Sequence, residues 1–193
     1  MLRRDFLTMI AAVTGTAMIG GRAMAYLPTE AGANAFTPED TAFLDEMAEV
    51  ILPRTDTPGA KDAGVGAFMT LYVSDCYTPE DQQGFRDGMA NLKAAAAEQG
   101  TDFMQMTPDA RTALLDGIAR EARVVTAEGA AKAKAEGRVV KNADMHWFTP
   151  LHQLVLFGFF TSEIGATEVL RYEPVPGEYI GDLDYDGEPA WAT

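Results

Sequence analysis

Two histidines, His146 and His152, are the side chains of this 193-residue chain best suited to transfer a proton or bind a metal ion near neutral pH. They stand six residues apart, with aromatic residues and Pro150 between them. A metal site built on this pair needs further ligands, and no Cys, Asp or Glu follows at a recognised ligand spacing. The pattern therefore favours packed or hydrogen-bonded histidines over a metal centre.

An acidic turn near the C-terminus is the second candidate site. The run DLDYDG, from Asp182 through Asp186 to Gly187, matches the first half of an EF-hand calcium loop, with glycine at the sixth position. The loop also requires a bidentate Glu at its twelfth position, where this chain has Thr193. The sequence therefore favours a solvated acidic turn, with calcium binding as the alternative.

Other signatures of catalysis and cofactor binding are missing from the sequence. No glycine-rich dinucleotide fingerprint, phosphate-binding P-loop or GxSxG nucleophile elbow occurs. The single cysteine, Cys76, can form no internal disulfide, CxxC redox pair or CxxCH haem attachment site. We expect it to be a small buried apolar residue, with an exposed thiol or a link to another subunit as the alternative. We accordingly predict no catalytic, cofactor-binding or metal-ligating residue in this chain.

The chain is strongly acidic, with a formal net charge of −14. Three arginines against one aspartate give the first 25 residues a net charge of +2, so the remainder carries −16. A surface of this sign repels phosphate groups, which argues against nucleic acid as a partner and disfavours anionic lipid. The ordinary consequence of such a charge is solubility.

The first 25 residues have the organisation of an export signal. Arg3 and Arg4 precede Asp, Phe6 and Leu7, an order that resembles the twin-arginine motif. An uncharged apolar stretch at 7–21 and an Ala-Met-Ala cleavage site at 23–25 follow. The apolar stretch is short of the roughly 20 residues that span a bilayer comfortably. We therefore predict export to the periplasm by the twin-arginine translocase, and no membrane span once the signal is removed.

Residues 26–36 have the composition of a linker, and residues 37–193 that of a single helical domain. Four Thr-Pro pairs mark helix starts, because Thr is a good N-cap and Pro is favoured at the first helical position. The pairs begin at Thr37, Thr78, Thr107 and Thr149. Four such starts, with no sustained alternation of polar and apolar residues, predict a mainly α fold.

Apolar residues at helical spacing predict helices at about 38–52, 65–77, 79–99, from 108, and at 150–164. The last of these is apolar nearly all round, which predicts burial on all sides. The Ala-, Lys-, Glu- and Gly-rich stretch 127–137 has a weak apolar face and is predicted to be an exposed arm, with continuation of the preceding helix as the alternative. The expected fold is a compact domain of about five helices with an extended, irregular C-terminal tail from about residue 166.

The last fifty residues carry a resemblance to a known family. The relevant runs are FGFFTSEIG at 157–165, LRY at 170–172, VPGEYIG at 175–181 and AW at 190–191. Together with the twin-arginine start and a first helix that ends in Ile-Leu-Pro at 51–53, they resemble the gluconate 2-dehydrogenase subunit 3 family. The resemblance covers about Phe36 to Trp191. It departs from the family at Asp182, where many members have Cys.

The resemblance implies a non-catalytic small subunit of a periplasmic, FAD-dependent (GMC-type) dehydrogenase of sugars or sugar acids. In such complexes the large subunit holds FAD and the substrate, and a cytochrome c subunit, where present, passes electrons through haem c to the respiratory chain. The small subunit stabilises the large subunit and carries the export signal for both. FAD and haem c are thus expected in partner subunits and not in this chain.

Aromatic and proline residues on or near loops are the expected contacts with the large subunit, since aromatic residues are enriched at interface hot spots. They are Trp147, Phe148, Tyr172, Pro176, Tyr179 and Trp191. Packing against the chain's own helices is the alternative for them. His146 and His152 are candidates for a position near the substrate, at the mouth of the partner's active site. Two other functions stay open: a free-standing periplasmic enzyme that uses His146 or His152 with nearby acids, and a calcium-dependent or structural binding module.

Overall fold

Five α-helices make up most of the described part of the chain, for which a computed structural model describes residues 36–175, 177 and 184–192. The helices are α1 (Pro38–Ile51), α2 (Val65–Cys76), α3 (Pro79–Glu98), α4 (Pro108–Ala135) and α5 (Phe148–Phe160). Short 3-10 turns lie at Phe103–Gln105 and Asn142–Asp144, and a π-helical turn at Gly165–Val169. Among these residues, β pairing is confined to one isolated bridge between Arg171 and Trp191. The predicted mainly α fold with about five helices is confirmed.

Three of the four predicted threonine caps are present. The side chains of Thr37, Thr78 and Thr107 accept hydrogen bonds of 3.2, 3.2 and 3.3 Å from the backbone N–H three residues further on. The fourth start is wrong, because α5 begins at Phe148 and already contains Thr149. The Thr149 hydroxyl pairs instead with the hydroxyl of Thr126 on α4, at 2.8 Å. A tertiary contact between two helices has replaced the local cap.

The core lies around α5, which contacts each of the other four helices. Leu151 and Val155 are fully buried, and Phe148 and Phe159 are nearly so. The prediction that α5 is buried on all sides is nevertheless wrong, because Phe157 and Phe160 are 46% and 39% exposed. The neighbouring helices cover one side of α5 and leave an aromatic stripe at the surface.

Helix α4 continues through most of the stretch 127–137, which was the alternative to a separate arm, and most residues of the stretch are exposed as predicted. Ala133 is fully buried, and the turn at Asn142–Asp144 packs against the helix. A Cβ added to Gly129 would lie 1.7 Å from the carbonyl oxygen of Asp144, so only glycine permits this approach. Arg138 donates two hydrogen bonds to the Asp144 carboxylate, one of 2.7 Å, and holds the turn in place. Small residues serve here for close backbone packing and not for solvation.

Cys76 is exposed at the end of α2, so the prediction that it is buried is wrong. The tail also begins later than predicted, because the π-helical turn continues the helical path to Val169. None of the helices in the described ranges combines the length and the apolar character that crossing a membrane requires.

Candidate interaction surface

His146 is packed and hydrogen-bonded, as its sequence context predicted. Its residue is 8% exposed, and its Nδ1 accepts a 3.2 Å hydrogen bond from the backbone N–H of Phe148. Its own backbone N–H donates to the Thr126 hydroxyl at 3.1 Å. The ring lies beside Trp147, with 5.0 Å between the centroids. These contacts fix the entry into α5 and occupy Nδ1 of the ring with a hydrogen bond.

His152 lies elsewhere, in a groove between α4 and α5 with a volume of about 390 Å³. Arg123, Thr126 and Gln153 also line this groove, whereas His146 does not. Burial first, and then the positive charge of Arg123, hold the pKa of His152 below its usual value. The ring is therefore neutral near neutral pH. The structure does not bring the two histidines into one site.

No group of three or more His, Cys, Asp or Glu side chains is arranged to hold a metal ion within the described ranges. Part of the acidic turn, at 182–183, lies outside them. In the part that is described, the backbone N–H of Asp186 donates to the carboxylate of Glu188 at 2.7 Å.

The structure places five of the six predicted interface residues in three different settings. Phe148 is 1% exposed and packs in the chain's own core, which argues against its role as a partner contact. Tyr172 is exposed, and Trp147 is half-buried at the wall of a surface hollow. Pro176 and Tyr179 lie outside the described residues, as do Arg3, Arg4, Phe6 and Leu7 of the export motif.

Trp191 is half exposed and packs against the chain itself. The guanidinium of Arg171 lies 4.0 Å from the centre of its indole ring. Backbone hydrogen bonds of 2.8 Å join Arg171 to Ala190 and Ala192, and Arg171 also pairs with Glu188 at 3.1 Å. The described end of the tail therefore returns to the residues after the π-helical turn, and one face of the indole is already covered.

A further aromatic cluster, within the described ranges, was not among the predicted interface residues. The rings of Phe68 and Tyr72 on α2 lie 5.8 and 5.5 Å from the ring of Phe157 on α5. Tyr77 continues the cluster, 6.0 Å from Tyr72. A Cβ on Gly158 would lie 2.6 Å from the Phe68 ring, so this glycine allows the ring to seat on α5. The centroid distances are those of favourable aromatic pairs.

Two hollows adjoin these rings. One, of about 220 Å³, lies among Tyr72, Tyr77, Pro150 and Phe157. The other, of about 320 Å³, extends from Tyr77 to Trp147. Tyr77, Asn142 and Pro150 line both, so the two hollows are adjacent. We call this surface the aromatic groove; it comprises Phe68, Tyr72, Tyr77, Trp147, Pro150 and Phe157.

Three carboxylates line the larger hollow, within the first three turns of α3. They are Glu80, Asp81 and Asp87, and we call them the acidic rim. Asp81 is held in place by hydrogen bonds from the hydroxyl of Thr78 at 2.7 Å and from the amide of Asn142 at 2.8 Å. These two bonds lower the pKa of Asp81 and keep it ionised. The groove is thus apolar along its floor and negative along one edge.

A sequence signal for the groove does exist. Phe68, Leu71 and Tyr72 share one face of α2, while Val65, Met69 and Val73 fill the core from another. A helix with apolar residues on two faces either lies wholly in the core or presents its second apolar face to a binding partner. Spacing alone does not distinguish these two cases.

One protein family matches the chain: the model described as gluconate 2-dehydrogenase subunit 3 matches residues 38–177. No curated protein and no solved structure matches it. The matched range contains all five helices, the π-helical turn and the whole aromatic groove, and it ends before Trp191.

Proposed function

The chain belongs to the gluconate 2-dehydrogenase subunit 3 family, and we propose that it is the non-catalytic small subunit of a periplasmic, FAD-dependent dehydrogenase of sugars or sugar acids. The family match, which spans all five helices, carries this proposal. The aromatic groove, with half-buried rings around two surface hollows, supports it, because interface hot spots are enriched in aromatic residues beside pockets. The substrate and the flavin belong to the large subunit.

The described residues do not fit FAD. Dinucleotide-binding folds hold the pyrophosphate at a glycine-rich turn between a strand and a helix. Residues 36–175 contain neither a strand nor such a turn. We therefore assign FAD to the large subunit, and haem c, where a cytochrome subunit takes part, to that subunit.

Stabilisation and export are the two tasks proposed for the chain. Burial of the large subunit's apolar surface by this domain would stabilise the flavoprotein by mass action, as any partner that binds only the native state does. The motif at Arg3, Arg4, Phe6 and Leu7 would take the folded complex through the twin-arginine translocase. A large subunit without its own signal would then reach the periplasm only together with this chain.

Purification of the tagged native complex from its source cells tests the proposal. We expect a flavoprotein in equal amount, the absorption bands of flavin, and oxidation of gluconate or a related sugar with an artificial electron acceptor. The chain by itself should be colourless and inactive. A chain that purifies without any flavoprotein, or that oxidises sugars alone, would refute the proposal.

Export is tested separately by replacing both Arg3 and Arg4 with Lys. We expect the chain and the flavoprotein to remain together in the cytoplasm, with dehydrogenase activity lost from the periplasmic fraction. Periplasmic activity equal to that of the wild type would contradict co-export.

A free-standing enzyme built on His146 is not favoured, because that ring is buried and its Nδ1 is already hydrogen-bonded.

A further inference from the structure

We propose that the aromatic groove and the acidic rim form the docking site for the large dehydrogenase subunit, through a segment of that partner that carries apolar side chains next to Lys or Arg. The inference rests on the proposed function and adds to it the surface and the chemistry of recognition. It moves the main contact from the C-terminal tail to the cleft formed by α2, α3 and α5.

The apolar part of the surface has the form of a hot-spot site. Phe157 is about half exposed, at 46%, and its ring contacts the rings of Phe68 and Tyr72 on α2. Phe157 lines the hollow of about 220 Å³, and Tyr77 and Pro150 connect this hollow's lining to that of the hollow of about 320 Å³; both are large enough to accept side chains of a partner. Binding energy at interfaces concentrates where aromatic anchors and pockets are fully desolvated on association.

The charge of the residues that line the two hollows indicates the chemistry of the partner segment. The described residues that line the two hollows include three carboxylates and no Lys, Arg or His. A basic segment would neutralise the acidic rim and approach it faster than a neutral one. A second copy of this chain would bring its own acidic rim and a like net charge of −14, which disfavours self-association. Anionic lipid is repelled for the same reason.

The walls of the groove are ordered before binding. Asn142 is tied to Asp81 at 2.8 Å, and the Gln82 side chain donates to the backbone carbonyl groups of Ser74 and Tyr77 at 3.1 and 3.2 Å. These bonds connect the end of α2, the start of α3 and the segment before α5. Because association otherwise spends free energy on ordering side chains and loops, a preformed groove binds more tightly for the same contacts.

Two sets of variants test the proposal. Phe157→Ala removes the central ring, and its matched control is Val124→Ala, an exposed apolar residue of α4 that lines neither hollow. Glu80→Lys with Asp87→Lys reverses the acidic rim, and its control is Glu121→Lys on the exposed side of α4. The probe is the flavin-containing subunit separated from the native complex, titrated with each variant by calorimetry at two salt concentrations.

We expect Phe157→Ala to raise Kd by about tenfold or more, the effect of an interface hot spot. Reversal of the acidic rim should also raise Kd by about tenfold and should weaken the dependence of binding on salt. Both control variants should bind within about twofold of the wild type. Circular dichroism melting curves of each variant check that the fold is kept. The charge variants, which lie at the surface, keep the test decisive if Phe157→Ala does not fold.

The outcomes separate the two proposals. A wild-type chain that binds no flavoprotein overturns the proposed function and this inference together. Wild-type binding that neither set of variants weakens overturns the docking site alone. Sedimentation of the isolated chain completes the test: a dimer that Phe157→Ala dissociates would assign the groove to a second copy of this chain and would also overturn the inference. A monomer that binds through the groove supports it.

Discussion

Replacement of Gly129 with Ala should destabilise the protein, although alanine is the better helix former. A Cβ at this position would lie 1.7 Å from the Asp144 carbonyl oxygen, whereas real Cβ atoms essentially never approach a heavy atom within 3.0 Å. The turn at 142–144 must therefore move away from α4 by about 1.3 Å. The obstacle is backbone, which cannot rotate aside as a side chain can.

The magnitude follows from two opposing effects. Overpacking costs about 1–3 kcal/mol, and a backbone obstacle places this substitution at the upper end. Helix propensity returns about 1 kcal/mol, because Ala loses less conformational entropy than Gly. The free energy of unfolding should therefore fall by about 2 kcal/mol. For a domain of this size that lowers Tm by roughly 4–8 °C.

Gly117→Ala is the matched control, since Gly117 lies in the same helix with no atom within 4 Å of the added Cβ. It should raise the free energy of unfolding by about 0.5–1 kcal/mol. Urea unfolding followed by far-UV circular dichroism measures both variants. Equal stabilisation by the two substitutions would refute the close packing of the 142–144 turn on α4. Because Asn142 and Ala143 in this turn line the aromatic groove, Gly129→Ala should also weaken binding of the flavoprotein.

Three further predictions concern titration and exposure. Hydrogen bonds from Arg138 hold the pKa of Asp144 below its ordinary 3.8, so the pair contributes stability above about pH 4 that is lost as the pH falls. Asp144→Asn should therefore reduce the fall in the free energy of unfolding at acidic pH. An unchanged fall would contradict the pairing. Burial lowers the pKa of His152, so its neutral form contributes stability above about pH 6.5 that is lost below it. NMR titration should give a depressed pKa for His152. His152→Gln should remove the loss of stability in this pH range. Cys76 is exposed, so a thiol reagent should label the native protein without denaturant, and protection from labelling would contradict its position.

The helix starts could be predicted from sequence because a cap is a local interaction. Thr37, Thr78 and Thr107 each bond a backbone N–H within the same turn, and no other part of the chain is needed. Thr149 is the exception, because its hydroxyl is hydrogen-bonded to Thr126 on another helix and does not cap its own. The burial of His146 was predicted, but its hydrogen bond to the Phe148 backbone, which aligns the start of α5, was not.

The candidate site depended on contacts between residues far apart in the chain. Phe68 and Phe157 meet only because α2 packs on α5 beside Gly158. Phe148 and Phe157 lie on the same helix, yet one is 1% and the other 46% exposed. An apolar run predicts that a helix is buried, but the packing of the neighbouring helices decides which of its residues are buried.

The sequence by itself determined the helical class, most of the helix starts, the acidic charge and the family, because local capping, spacing and composition carry that information. Only the tertiary structure decided that α4 continues past Gly129, that Cys76 is exposed and that the aromatic groove exists. These depend on how closely two backbones approach and which side of each helix is covered. Both are properties of the packed chain, since burial is shared between elements that the sequence separates.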